Sequence, residues 1–167
     1  VMAGLEEYFV TRLSLTGCNP ADLVIALDSS GSIGRENYYT VLDFTKNLVA
    51  SLNINPQHTQ IGLETFSNGV EVKFNLNDFT NKMDVVNSIS FPYSGGTTNT
   101  AEALSIMTEG MFSSQGGDRS SVRNVGLVIT DGESNDRVST FAKAVEARSQ
   151  GIDLLAIGIN IKVGGLS

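Results

Sequence analysis

The sequence predicts an α/β domain: a doubly wound, mostly parallel sheet with one antiparallel edge strand and helices on both faces. Three observations predict it. Short, almost continuous apolar runs recur along the chain, segments with helical spacing lie between them, and one pair of strand-like runs is separated by only three turn-forming residues.

The first run, Ala21 to Leu27 (ADLVIAL), ends at Asp28 and reads as a strand buried on both faces of a parallel sheet. Val41, Leu42, Thr45, Leu48, Val49 and Leu52 then mark one face of a helix. Ile61 to Phe66 and Val70 to Phe74 flank Ser67-Asn68-Gly69 and read as a hairpin, with Asn-Gly expected to supply the positive φ of a tight turn. That hairpin adds the antiparallel edge. Ala101, Leu104, Thr108 and Met111 mark a second helical face. Val125 to Thr130 (VGLVIT), ending at Asp131, is a second buried strand. Val138, Phe141, Ala142 and Val145 mark a third helix, and Ile152 to Ile159 (IDLLAIGI) a third buried strand. Each helix is expected to cover a strand. Ligands of such folds bind outside the carboxyl ends of the strands, so Asp28 and Asp131 both belong to the ligand edge.

At 167 residues the chain is long enough for one domain with a substantial core. Its 41% hydrophobic and 17% charged residues, without a low-complexity tract, are those of a globular protein. The net charge of −7 argues against nucleic acid, which needs clustered Lys and Arg, and suits cations and basic surfaces instead. No apolar run approaches the ~20 residues that span a bilayer. The first residues lack the charged start and apolar stretch of a signal peptide, so the chain reads as cytosolic or already processed. Cys18 is the only cysteine and reads as a buried thiol or as the partner of a cysteine elsewhere. No Asn-x-Ser/Thr sequon occurs.

Three loops carry the chemistry. Asp28-Ser29-Ser30-Gly31-Ser32 follows the first strand directly, so Asp28, Ser30 and Ser32 turn toward one point while Gly31 lets the backbone bend. Ser94-Gly95-Gly96-Thr97-Thr98-Asn99-Thr100 puts a Gly-Gly hinge before a hydroxyl cluster, and Thr130-Asp131-Gly132-Glu133-Ser134 puts a carboxylate at another strand tip. Hard divalent cations such as Mg²⁺ take oxygen ligands and usually keep water, which suits hydroxyls with few carboxylates. Such a site leaves its cation under-neutralised.

Asp28-x-Ser30-x-Ser32, Thr98 in Gly-Gly-Thr-Thr-Asn-Thr and Asp131 in Ile-Thr-Asp-Gly-Glu, with Ile33-Gly34 beside the first loop, resemble the metal-ion-dependent adhesion site of von Willebrand factor A and integrin I domains. The likeness covers residues 18 to 160. It implies a Rossmann-like fold and a divalent cation, Mg²⁺ first with Mn²⁺ or Ca²⁺ as alternatives. Ser30 and Ser32 would bind the ion directly, Thr98 directly or through water, and Asp28 and Asp131 mostly through water. Thr97 offers an adjacent hydroxyl, but Thr98-Asn99-Thr100-Ala101 aligns with the family's Thr-x-Thr-Gly pattern. The open position would take a Glu or Asp carboxylate from a protein partner, and the loops around Gly31, Gly96, Thr97 and Glu133 would touch that partner. The resemblance further implies a non-enzymatic, extracellular adhesion module, with collagen or another matrix protein as ligand. The alternative is an intracellular A domain in a protein assembly or ATPase complex. After Gly158-Ile159 the family's usual last helix, strand and helix are missing, so the domain at 18–167 is expected to be cut short or completed in part by residues 1–17.

Simpler readings compete. An Asp at a strand end often caps the following helix. His58 reads as a surface loop residue, and a lone histidine argues against a zinc site. Glu133 and Asp136 read as solvated loop residues, and Tyr38-Tyr39 as half core and half surface. A serine hydrolase lacks a Gly-Thr-Ser nucleophile motif here, and a Mg²⁺-dependent phosphoryl-transfer enzyme lacks its Gly-x4-Gly-Lys-Ser/Thr loop.

Overall fold

The central strand, β1 (Ala21–Asp28), is buried over its whole length, as its near-continuous apolar run requires. A computed structural model describes residues 20–132 and 134–159. Residues 1–17, Cys18, Glu133 and the segment after Ile159 lie outside the described residues. β1 is followed by α1 (Arg35–Ser51), β2 (Thr59–Phe66), β3 (Val70–Phe74), α2 (Lys82–Ser88), α3 (Thr100–Ile106) with a π-helical turn (Met107–Met111), β4 (Arg123–Thr130), α4 (Arg137–Ser149) and β5 (Asp153–Gly158). The sheet order is β3-β2-β1-β4-β5. β1 pairs in parallel with β2 and β4, β4 with β5 likewise, and β3 joins β2 antiparallel.

Side chains alternate across a strand, so β1 feeds two cores. Leu23, Ile25 and Leu27 face α1, whose Tyr38, Val41, Leu42, Leu48 and Val49 are buried there together with Val85 of α2. Val24 and Ala26 face the other layer, against Ala103 and Leu104 of α3 and Met107 and Met111 of the π-helical turn. Register then fixes the ligand edge. Leu27 lies opposite Ile129, so β1 and β4 end side by side and Asp28 and Asp131 emerge next to each other.

Four local expectations are corrected. Gly69 does not take a positive φ; the three-residue loop is closed by the Ser67 N–H donating to the Gly69 carbonyl at 2.9 Å. Val138, Phe141 and Val145 are 81%, 71% and 49% exposed, and Ala142 is exposed as well. The inward stripe of α4 is Thr140, Ala144 and Ala147, whose small side chains bring the helix close to the sheet. β5 is not buried on both faces. Among the described residues it is the last strand of the sheet, with Asp153, Ala156 and Gly158 exposed. Finally, Gly31 serves close approach rather than a special bend: a Cβ there would stand 3.1 Å from the Gly96 carbonyl oxygen, and the positive φ of the loop falls at Gly34 instead. Helix α2, which no apolar period announced, buries only Val85 and rests on the Asn81 cap, whose side chain accepts the Asp84 N–H.

Away from the ligand edge, Asp22 at the start of β1 is fully buried and closed by Arg119. The Arg119 backbone N–H donates to Asp22 Oδ2 at 2.8 Å, while Nε and Nη2 donate to Oδ1 at 2.8 and 2.6 Å. Nη1 donates to the Pro56 carbonyl, and Nη2 also reaches the carbonyls of Ala21 and His58.

Candidate metal centre

The site forms where the first, second and third loops meet at the carboxyl ends of β1 and β4. Ser29 anchors the first loop from beneath. Its N–H donates to the Phe66 carbonyl, its Oγ accepts the Ser94 N–H, and its carbonyl accepts the Gly95 N–H, each at 2.8 Å. The Gly31 N–H donates to the Gly96 carbonyl at 2.8 Å. Gly95 and Gly96 take φ of 72° and 94°, a conformation that side chains resist. The second loop meets the third through Asn135, whose Oδ1 accepts the Thr98 N–H at 2.9 Å and whose own N–H donates to the Thr98 carbonyl at 3.0 Å. The third loop meets the first through the Thr130 hydroxyl, which donates to Asp28 Oδ2 at 2.7 Å. Three separate loops are thus locked into one unit by backbone and short polar side chains.

Within that unit Asp28 and Ser30 have no solvent exposure and Thr98 has 5%, whereas Ser32 is exposed and Asp131 half-buried. Ser30 Oγ and Ser32 Oγ stand 3.0 Å apart. Asp28 Oδ1 accepts the Ser30 N–H at 2.8 Å. Burial pushes the Asp28 carboxyl above its ordinary range; bonds from Ser30 and Thr130 oppose that shift, and the negative charge of Asp131 adds to it. The two carboxylates are therefore close enough to repel, and a positive ion between them would relieve that repulsion.

Neither aspartate caps a helix. α1 begins after Gly34, which offers no side-chain cap, and α4 is capped by Asp136, which accepts the Ser139 N–H at 2.9 Å. The two hydroxyls of Thr97-Thr98 part company: Thr97 Oγ1 donates to Asn68 Oδ1 at 2.8 Å and lies exposed, while Thr98 is buried. Gly31, Gly96 and Thr97 are all exposed at the rim. Among the described residues no three His, Cys, Asp or Glu converge on a point able to hold a metal. A cation here would need hydroxyl oxygens as well as carboxylates, which is the donor set of a hard ion.

Sequence reasoning missed the braces. Asn68 at the hairpin tip accepts both the Thr97 N–H (2.7 Å) and its hydroxyl; Asn135, Ser29 and Thr130 hold the other joints. Thr130 and Ser29 sit inside the motif loops and were legible as polar neighbours. Nothing in the sequence brings Asn68 to the second loop, because that contact exists only once β2 lies beside β1. His58 lies at the opposite, amino end of the sheet, just before β2, with Nδ1 3.0 Å from Asn55 Oδ1.

Comparison with known proteins agrees with this architecture. The family model of the von Willebrand factor type A domain matches residues 22–165. The collagen alpha-6(VI) chain of Homo sapiens is 39% identical over 140 residues, which is 83% of this chain and 6% of that protein. Matrilin-1 of Gallus gallus is 34% identical over 139 residues, 83% of this chain and 28% of that one. The chain thus spans a small part of the curated relatives it matches. Among solved structures, proximal thread matrix protein 1 from the mussel byssus superposes with a TM-score of 0.79 at 32% identity, over 86% of this chain and 39% of that one. A second structure of that protein, with a zinc-occupied metal-ion-dependent adhesion motif, gives 0.77 at 31% identity over 84% and 38% of the two chains.

Proposed function

The chain belongs to the von Willebrand factor type A domain family, and on that premise we propose that it is a divalent-cation-dependent protein-binding module in which Asp28, Ser30, Ser32, Thr98 and Asp131 hold the ion. The observation that carries this reading is the convergence of three cross-braced loops on the Ser30–Ser32 hydroxyl pair and on two aspartates, neither of which caps a helix. Ser30 and Ser32 would ligate directly. Asp28 is held by the Ser30 amide and the Thr130 hydroxyl, an arrangement suited to orienting water on the ion. When bound, the ion supplies a Lewis-acidic position to which a partner's Glu or Asp carboxylate adds. The oxygen-only donors favour Mg²⁺, with Mn²⁺ and Ca²⁺ as competitors.

Collagen and matrilin relatives support a matrix setting outside the cell, with a matrix protein, collagen first, as partner. An intracellular assembly role is the second reading, but none of those relatives favours it. Among the described residues no helix is long and apolar enough to cross a membrane. The serine-hydrolase alternative is opposed by distance: His58 is separated from Asp28 and Ser30 by the length of an eight-residue strand, roughly 25 Å.

Binding to immobilised collagen, measured with Mg²⁺, with EDTA and for Asp131→Ala, tests the proposal. It predicts signal in the first condition alone. Signal in all three would mean a cation-independent interface, and no signal in any would remove collagen as the ligand.

A further inference from the structure

The surface beside the first loop carries an arginine that the fold does not use. Arg35 is exposed at the start of α1, with its guanidinium carbon 5.3 Å from the centroid of the Tyr93 ring, within the range of cation–π attraction. Among the described residues it forms no ion pair and its side chain no hydrogen bond. Tyr93 is itself fixed. Its hydroxyl donates to the Ser30 carbonyl at 3.1 Å, and its ring packs on that of the buried Tyr38 with centroids 5.6 Å apart. One ring therefore touches the backbone of a candidate metal ligand with its hydroxyl and seats a guanidinium on its face. An arginine so stacked loses less freedom on binding than a free surface side chain, and its planar fork of donors matches a carboxylate.

We propose that Arg35, seated on Tyr93, is a second anion-recognition point that selects protein ligands carrying another carboxylate beside the one directed to the cation. This rests on the cation-dependent reading above. The separation between guanidinium and Ser30 backbone is roughly 11 Å at most, which about three residues of extended chain span. Arg137, at the start of α4 beyond the third loop, stacks on no aromatic ring among the described residues and serves as a control.

Suberate and its monoamide test the proposal, being equal in length and different by one carboxylate. Each is titrated into the whole chain in Mg²⁺ at low salt and followed by amide NMR shifts. Wild type should prefer suberate about threefold beyond the twofold statistical advantage of two equivalent carboxylates, the size expected of one exposed charge pair. Arg35→Gln should reduce the preference to the statistical factor while leaving the Mg²⁺ titration and monoamide binding unchanged, and Arg137→Gln should keep it. A preference intact in Arg35→Gln, lost in Arg137→Gln, or absent from wild type that does bind the monoamide would overturn the assignment and leave the cation site standing. No Mg²⁺-dependent binding of either compound would overturn both.

Discussion

Both aspartates of β1 are fully buried, Asp22 near its amino end and Asp28 at its carboxyl end. Asp22 receives three hydrogen bonds from Arg119, two of them from a guanidinium that also ties down three carbonyls. Asp28 receives only an amide and a hydroxyl, faces the negative charge of Asp131, and has its carboxyl pushed upward by burial. Burying a carboxylate is costly unless a charge compensates it, so the two ends of one strand differ in where that charge comes from. At the closed end the chain provides it; at the ligand edge a cation would.

The largest effect is expected at Arg119. Arg119→Met leaves Asp22 buried without its cation and should lower stability by about 3–5 kcal/mol in urea unfolding, equally with Mg²⁺ or chelator. A loss that Mg²⁺ repairs would contradict the separation of the two ends.

A third carboxylate sharpens the scale. Glu64, opposite Ala26 in the register, is fully buried, and neither oxygen finds a hydrogen-bond partner among the described residues. Burial lifts it from the ordinary 4.5 to about 9. The folded state then holds a proton that the unfolded chain has released, so this group's stabilising contribution is full below pH 4.5 and is lost as pH rises toward about 9. Measured as wild type minus Glu64→Gln, stability should fall by about 1.4 kcal/mol per pH unit in that window. A flat difference would mean that the group is solvated or paired in solution.

Asn135→Ala removes the side-chain acceptor of Thr98 and should weaken cation affinity about tenfold by calorimetry, a typical effect for a residue that positions a ligand. Unchanged affinity would show that Thr98 needs no such support. The smallest effect is expected at α4, where Phe141→Ser should change stability by less than about 0.5 kcal/mol because the residue is 71% exposed. A loss of several kcal/mol would restore the sequence-based expectation that this face is covered.

That α4 face shows where sequence legibility ended. β1, β4 and α1 were legible because apolar runs and the spacing Val41-Leu42-Thr45-Leu48-Val49 match the periods of a buried strand and a one-sided helix. In α4 the pattern Val138-Phe141-Val145 has the same period, yet Thr140, Ala144 and Ala147 face the sheet. Periodicity identifies a helix but does not say which stripe packs. β5 failed similarly, since an apolar run does not reveal whether a neighbour lies on each side. The candidate ligands were legible because they cluster in three short loops at strand ends. Asn68 and Arg119 were not, because each meets its target only through strand pairing or the return of a long loop.

The most direct test of cation compensation at Asp28 is the thermal midpoint of wild type and Asp28→Asn across a Mg²⁺ titration ending in chelator. Wild type should gain about 2.7 kcal/mol at a hundredfold excess over the dissociation constant. Asp28→Asn should match or exceed wild type in chelator and gain nothing from Mg²⁺. A wild-type midpoint that does not move through millimolar Mg²⁺, or an Asp28→Asn midpoint that rises in full, would contradict it.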